Sequence, residues 1–200
     1  AEVLELGDAG ASKNSSIEVL SADDGVDVED EDGIVVENQS DETDGVVVVA
    51  QDNISATIGE ASYTYTSDSD ALTVSAGSFT NTQWNSVVNT LGRGSIKSIT
   101  FNGTVTITDS AARMFFSMNN LTSITGLGNL NVSSVTSMEN MFNGCTSLAD
   151  TLDLSTWNTS NVTDMFGMFR DCSALTGITF GNGWNTSNVT DMALMFAGCK

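Results

Sequence analysis

The side chains with most chemistry to offer are three cysteines, Cys145, Cys172 and Cys199, set at equal intervals of 27 residues. An odd thiol count suits a reactive thiolate or a bridge between chains. The equal spacing, with Met118 in the corresponding earlier position, points instead to a buried column of small apolar groups. Zinc has little to hold it, because the chain has no CxxC pair and no histidine. The absence of histidine also removes imidazole acid–base catalysis and Ser-His-Asp triads. Among the carboxylates, Asp150 and Asp153 are the closest pair in the later part of the chain. Glycoside hydrolysis needs two carboxylates held across a cleft, and neither of these recurs at its slot in other copies of the repeat described below. No stretch of the acidic N-terminal segment has the spacing of a calcium loop. The residues therefore assign no catalytic group, no cofactor and no metal ligand.

Charge divides the chain. It carries 26 acidic and 6 basic residues in 200, a formal net charge of −20. Such a chain repels phosphate backbones, which argues against a nucleic-acid partner. No apolar run approaches the roughly 20 residues that span a bilayer, which argues against membrane insertion. Residues 1–60 hold 17 of the acids and one base, Lys13, whereas residues 61–200 hold 9 acids and 5 bases. Acidic clusters such as Glu29 to Asp32 alternate with valine runs such as Val46 to Val49, without aromatics. Like charges and little apolar area oppose folding, so residues 1–53 are expected to be an acidic low-complexity spacer without stable order. The sequence opens at Ala1, which predicts a processed product or a fragment.

The elements that would position any site are set by a repeat. Asn161-Val162-Thr163-Asp164-Met165 returns 27 residues later as Asn188-Val189-Thr190-Asp191-Met192. Met-Phe recurs at Met114-Phe115, Met141-Phe142, Met168-Phe169 and Met195-Phe196, and Leu130, Trp157 and Trp184 keep the same interval. A period between 20 and 29 with leucine and cysteine slots signifies stacked leucine-rich-repeat units. Val162, Met165, Phe169 and Cys172 fall on one face of a short helix, with Asn161 and Asp164 as its capping pair. Ser98 to Phe101, Ser123 to Gly126, Thr151 to Leu154 and Gly177 to Phe180 alternate as half-buried strands. The last two segments align at 26 rather than 27 residues, which places one extra residue at Ala149-Asp150. The expected fold is an α/β solenoid, a leucine-rich-repeat-like right-handed coil of short parallel strands and short helices. Trp157, Trp184 and most of the eight methionines are expected to pack inside it. The sequons at Asn158, Asn161, Asn185 and Asn188 are turn and cap chemistry of the repeat rather than glycosylation sites.

Residues 54–96 precede the repeats of 97–200 and are expected to cap them. Tyr63 to Tyr65 and Leu72 to Val74 alternate around Ser67 to Asp70, which predicts a hairpin. Asn81 is the expected cap of a helix carrying Trp84, Val87, Val88 and Leu91 and closed by Gly92. No comparable cap precedes Lys200, so a further segment is expected to follow it.

The run Leu154 to Met165, continued by Met168-Phe169-Arg170-Asp171-Cys172, resembles the repeat of the BspA-like leucine-rich-repeat surface proteins of bacteria. The resemblance covers about residues 100–200, and Tyr63 to Ser75 resembles the segment that precedes such repeats. It implies an extracellular protein, secreted or attached to the cell wall, that works in adhesion. Thr100, Thr125, Asp153 and Thr179 alternate with the buried strand residues and are predicted to form one row across neighbouring strands. That row is the candidate ligand-binding surface, because repeat arrays bind partners on such faces. The expected function is a non-catalytic adhesion and protein-interaction module whose partner is an extracellular protein or glycan. The alternatives are a carbohydrate-active enzyme and a threonine array that binds ice or another lattice, for which Thr104-Val105-Thr106-Ile107-Thr108 supplies a single alternating segment.

Overall fold

Strands open the described chain because polar and apolar residues alternate there. The computed structural model describes residues 53–200; the spacer expected over 1–53 lies outside the described residues, apart from Asn53. β1 (Asn53–Ile58) and β2 (Ala61–Thr66) pair antiparallel, with Ile58 opposite Ala61. Gly59 turns the chain between them at φ +58°, where an added Cβ would lie 2.3 Å from the Ser78 carbonyl oxygen. β3 (Ala71–Phe79) pairs antiparallel with β2, setting Tyr63 opposite Val74 and Tyr65 opposite Leu72. This is the hairpin that the alternation predicts.

The helix that follows, α1 (Asn81–Thr90), is capped one residue earlier than expected. Thr80 accepts from the Gln83 amide while the Gln83 side chain accepts from the Thr80 amide, a complete capping box. Asn81 is instead the first helical residue, and its Nδ2 donates to the Ala112 carbonyl at 2.9 Å. α1 buries Trp84 and Val88, and the chain leaves it through Gly92 at φ +81°. β4 (Ser98–Ile107) then lies parallel to β3. β5 (Ser123–Thr125) pairs with the first half of β4, and β6 (Leu130–Asn131) with the second, both parallel. A separate two-stranded parallel sheet holds β7 (Thr151–Leu154) and β8 (Gly177–Phe180), with Thr151 opposite Gly177 as the 26-residue alignment requires.

The expected α/β solenoid of strands and short helices does not form. Among the described residues there is one α-helix, beside a mixed six-stranded sheet and the two-stranded one. The Met-Phe segments, predicted as helices, are successive turns. Two features exclude the helix. First, alternate amides leave the segment: Met138, Asn140, Phe142 and Gly144 donate to the carbonyls of Asp164, Phe166, Met168 and Arg170. Ala111, Arg113, Phe115 and Ser117 do the same to the copy ahead of them, as do Met165, Gly167, Phe169 and Asp171. The intervening amides close tight turns, as in Met141 to Met138 and Cys145 to Phe142. Secondly, each copy has two residues with positive φ, at Arg113, Asn140, Gly167 and Leu194 and again at Ser117, Gly144, Asp171 and Gly198. A right-handed helix tolerates neither. The capping role expected of Asp164 is replaced by a local turn, its carboxylate accepting from the Phe166 amide at 2.9 Å.

This arrangement sends the apolar slots inward. Met114, Met141, Met168, Cys145 and Cys172 are buried. Phe115, Phe142 and Phe169 stack in sequence, with ring centroids 5.0 Å and 5.4 Å apart. Trp157 is buried too and donates its Nε1–H to the Leu127 carbonyl at 3.1 Å. α1 seats on the same column through Trp84, whose Nε1–H donates to the Met114 carbonyl at 2.6 Å.

Phe142 has a ring on each side, so Phe142→Ala leaves a cavity the stack cannot close. The expected loss is about 3–5 kcal/mol, measurable as a lower urea midpoint at unchanged denaturant slope. A second prediction comes from the hairpin. Tyr65 donates its hydroxyl to Asp70 at 2.7 Å, and Lys97 Nζ lies 2.9 Å from the other Asp70 oxygen. The phenol bond, then the Lys97 ammonium, hold the Asp70 carboxyl below its ordinary 3.8. A carboxyl depressed in the folded state adds stability that is full above the unfolded value and is lost as pH falls through the folded one. Asp70→Asn should therefore flatten part of the acid limb of a stability-against-pH curve below about pH 4.

Candidate functional site

β-strand alternation gives the six-stranded sheet one apolar and one polar face. The apolar face carries Ile58, Ala61, Tyr65, Leu72, Val74, Ile99 and Phe101, all buried. The polar face has Ser55 opposite Thr64, Thr64 opposite Thr73, Thr73 opposite Thr100 and Thr100 opposite Thr125. This is a hydroxyl row across five strands. A second row runs beside it through Thr57, Ser62, Ser75 and Asn102. Hydroxyls bond across the strands, Ser55 to Thr64 at 3.1 Å and Ser62 to Ser75 at 2.8 Å. No charged side chain stands in either row, and every member is exposed or half-exposed.

The four residues predicted from sequence to form one row are divided between two sheets. Thr100 and Thr125 are cross-strand neighbours on β4 and β5, while Asp153 and Thr179 are neighbours on β7 and β8. The row containing Thr100 grows in the other direction, toward Thr73, Thr64 and Ser55. Thr64 and Thr73 were legible only as strand alternation, and Ser55 lies in a strand that the sequence reading did not include. Their place beside Thr100 depends on β3 pairing with β4, a long-range contact that no local pattern announces.

A cleft of about 490 Å³ lies elsewhere, between α1 and residues 112–117. Its walls are Asn81, Asn85, Asn89 and Arg93 on one side and Ala112, Arg113, Phe116 and Ser117 on the other. The Arg93 guanidinium is half-buried and holds the walls together. Nη1 donates to the carbonyls of Arg113 (3.0 Å), Met114 (3.3 Å) and Phe116 (3.2 Å), Nη2 donates to Asn85 Oδ1, and Nε donates to Asn89 Oδ1 at 3.1 Å. Arg113 stands over the Phe116 ring, 5.7 Å from its centroid. The sequence signal for this site was the spacing of Asn81, Asn85 and Asn89, one helical stripe of amides running to Arg93.

The remaining candidates have structural duties. Asp153 accepts from the Ser155 amide at 3.0 Å, and its hydrogen bonds to Ser155 lower its carboxyl pKa. A general acid of a glycosidase needs the opposite shift. The cysteines are free thiols, each donating to a carbonyl 3.1 Å away: Cys145 to Phe115, Cys172 to Phe142 and Cys199 to Phe169. Trp184 is half-buried against Phe180, with ring centroids 4.5 Å apart. No helix among the described residues is long and apolar enough to cross a membrane.

The repeat region carries the relationship to other proteins. Residues 94–200 match the model of a family described as "Mycoplasma protein of unknown function, DUF285", and the chain belongs to that family. No curated protein and no solved structure matches it.

Thiol environment makes a direct prediction. Burial pushes the Cys172 thiol up to about 12 and raises the Cys145 and Cys199 thiols too, and Cys199 alone of the three is only half-buried. In the native protein at pH 8 an aromatic disulfide reagent should titrate Cys199 first, with Cys145 and Cys172 reacting only on unfolding. Equal rates for the three would contradict the buried column.

Proposed function

We propose that the chain is a non-catalytic adhesion module of a bacterial surface protein, placed outside the cell, that binds an extracellular protein or glycan through the polar sheet face. The observation that carries this is the uncharged hydroxyl row Ser55–Thr64–Thr73–Thr100–Thr125 in a chain of net charge −20. Contact centres are depleted in charged residues, because burying a charge costs more than burying a group that can exchange one hydrogen bond for another. Serine and threonine also lose little side-chain entropy on contact. The face is backed by a buried apolar layer, so it is presented in one geometry.

The finer family assignment is part of the same proposal. The run Leu154 to Met165 with Met168 to Cys172 resembles the repeat of BspA-like surface proteins, and the family match over residues 94–200 is compatible with that relationship. Within this reading Asp153 and Thr179 are a secondary patch, since their sheet is separate from the hydroxyl row.

The test is capture of the full chain on a panel of immobilised extracellular-matrix proteins and glycans. Thr73→Lys with Thr125→Lys places two charges in exposed positions of the row. The expected result is at least a tenfold loss of capture, or roughly 1.4 kcal/mol, with an unchanged melting temperature. Asp153→Asn with Thr179→Ala should leave capture within about twofold. Undiminished capture by the lysine variant, or no ligand on the panel, would sink the proposal.

A further inference from the structure

We propose that the cleft between α1 and residues 112–117 is a second binding site, for a carboxylate-bearing sugar. This inference is independent of the sheet-face proposal. It starts from charge. The residues lining the cleft include Arg93 and Arg113 and no acid, in a chain with 26 acids and 6 bases. Among the described residues no carboxylate lies within ion-pair distance of Arg93. Its half-buried charge is answered only by carbonyl and amide oxygens, and burial lowers its pKa. The lining residues are thus net positive on an acidic protein, with two carboxylates at the margin: Asp109 accepts from the Asn81 amide at 2.8 Å, and Glu139 pairs with Arg113.

Arg93 is committed to the walls, so it acts as a positioning residue. Arg113 is the group available to a ligand. Its side chain is exposed, and its one ion pair, to Glu139, is long at 3.5 Å. The Glu139 oxygen involved already accepts from Asn140 Nδ2 at 2.7 Å. An exposed pair of this kind holds the guanidinium only weakly. The backbone makes the choice of residue conspicuous. Arg113 has φ +59°, in a slot that later copies fill with Asn140, Gly167 and Leu194. The positive φ itself belongs to the turn ladder of every copy, and a long side chain is disfavoured there, at Leu194 as at Arg113.

The rest of the cleft defines the ligand class. A planar guanidinium fork matches a carboxylate. Asn89 Nδ2, which has no acceptor among the described residues, offers a donor to a sugar hydroxyl. Phe116, half-exposed with Arg113 over one face of its ring, offers apolar surface beside the guanidinium. The volume of about 490 Å³ falls in the usual range for small-molecule sites.

The experiment is titration of the isotopically labelled full chain, followed by NMR, with three probes: sodium glucuronate, glucose and inorganic phosphate. Glucuronate at millimolar concentration should give saturable shifts of the Asn85 and Asn89 side-chain amides, and glucose should give none. Phosphate should bind at least tenfold more weakly, since it lacks the sugar. Arg113→Asn places in this slot the residue that stands at 140. It should weaken glucuronate binding at least tenfold while leaving the melting temperature equal or raised, because asparagine accepts positive φ more readily. Arg113→Lys should bind with intermediate affinity. No saturable shift, equal binding of glucose or phosphate, or full affinity in Arg113→Asn would overturn the proposal.

Discussion

Alternate amide direction in the Met-Phe segments is the constraint on which the structure depends. Every second N–H points along the stack to a carbonyl of the following copy, and the others close turns within their own copy. No continuous helix can meet that demand, because helical amides are all spent four residues back. The price is two left-handed residues per copy. The return is a backbone whose donors are satisfied from its neighbours, so that phenylalanine rings can stack at 5.0–5.5 Å without a helix between them.

Once that ladder exists, side-chain positions separate by their freedom to change. Positions aimed inward stay apolar, as in Met114, Met141 and Met168. The slot at Phe116, Asn143, Arg170 and Ala197 holds a different type in each copy. Interior slots are constrained by close packing, where a missing methylene is felt at once. Outer slots carry no such constraint, and the cleft beside α1 uses two of them, Arg113 and Phe116. The sheet works on a similar division. Its buried face joins it to the column, and its hydroxyl face is left free.

The candidate sites were legible in different degrees. Thr100 and Thr125 could be read from strand alternation, and they do stand side by side. Asp153 and Thr179 could be read the same way, but alternation gives the face of a strand and not the identity of its neighbour. β5 and β7 do not pair, so the anticipated single row is split. The cleft depends on α1 docking against a segment about 30 residues away through Trp84 and Met114. Asn81, read from sequence as a helix cap, spends its side chain on that contact instead.

By itself the sequence determined the 27-residue period, the inward slots of methionine, phenylalanine and cysteine, the hairpin before α1 and the one-residue slip between Leu154 and Phe180. These follow from residue type and spacing, which survive any change of local conformation. The path of the backbone between inward slots was decided by tertiary structure. Spacings of three and four residues suit a helical face, but they equally suit tight turns reversed by left-handed residues. Gly144, Gly167 and Gly198 hinted at the second solution, whereas Arg113 and Leu194 at equivalent positions concealed it. The choice rests on hydrogen bonds to a copy 26 residues away, and an energy that exists only after the copies have met cannot be read from either one alone.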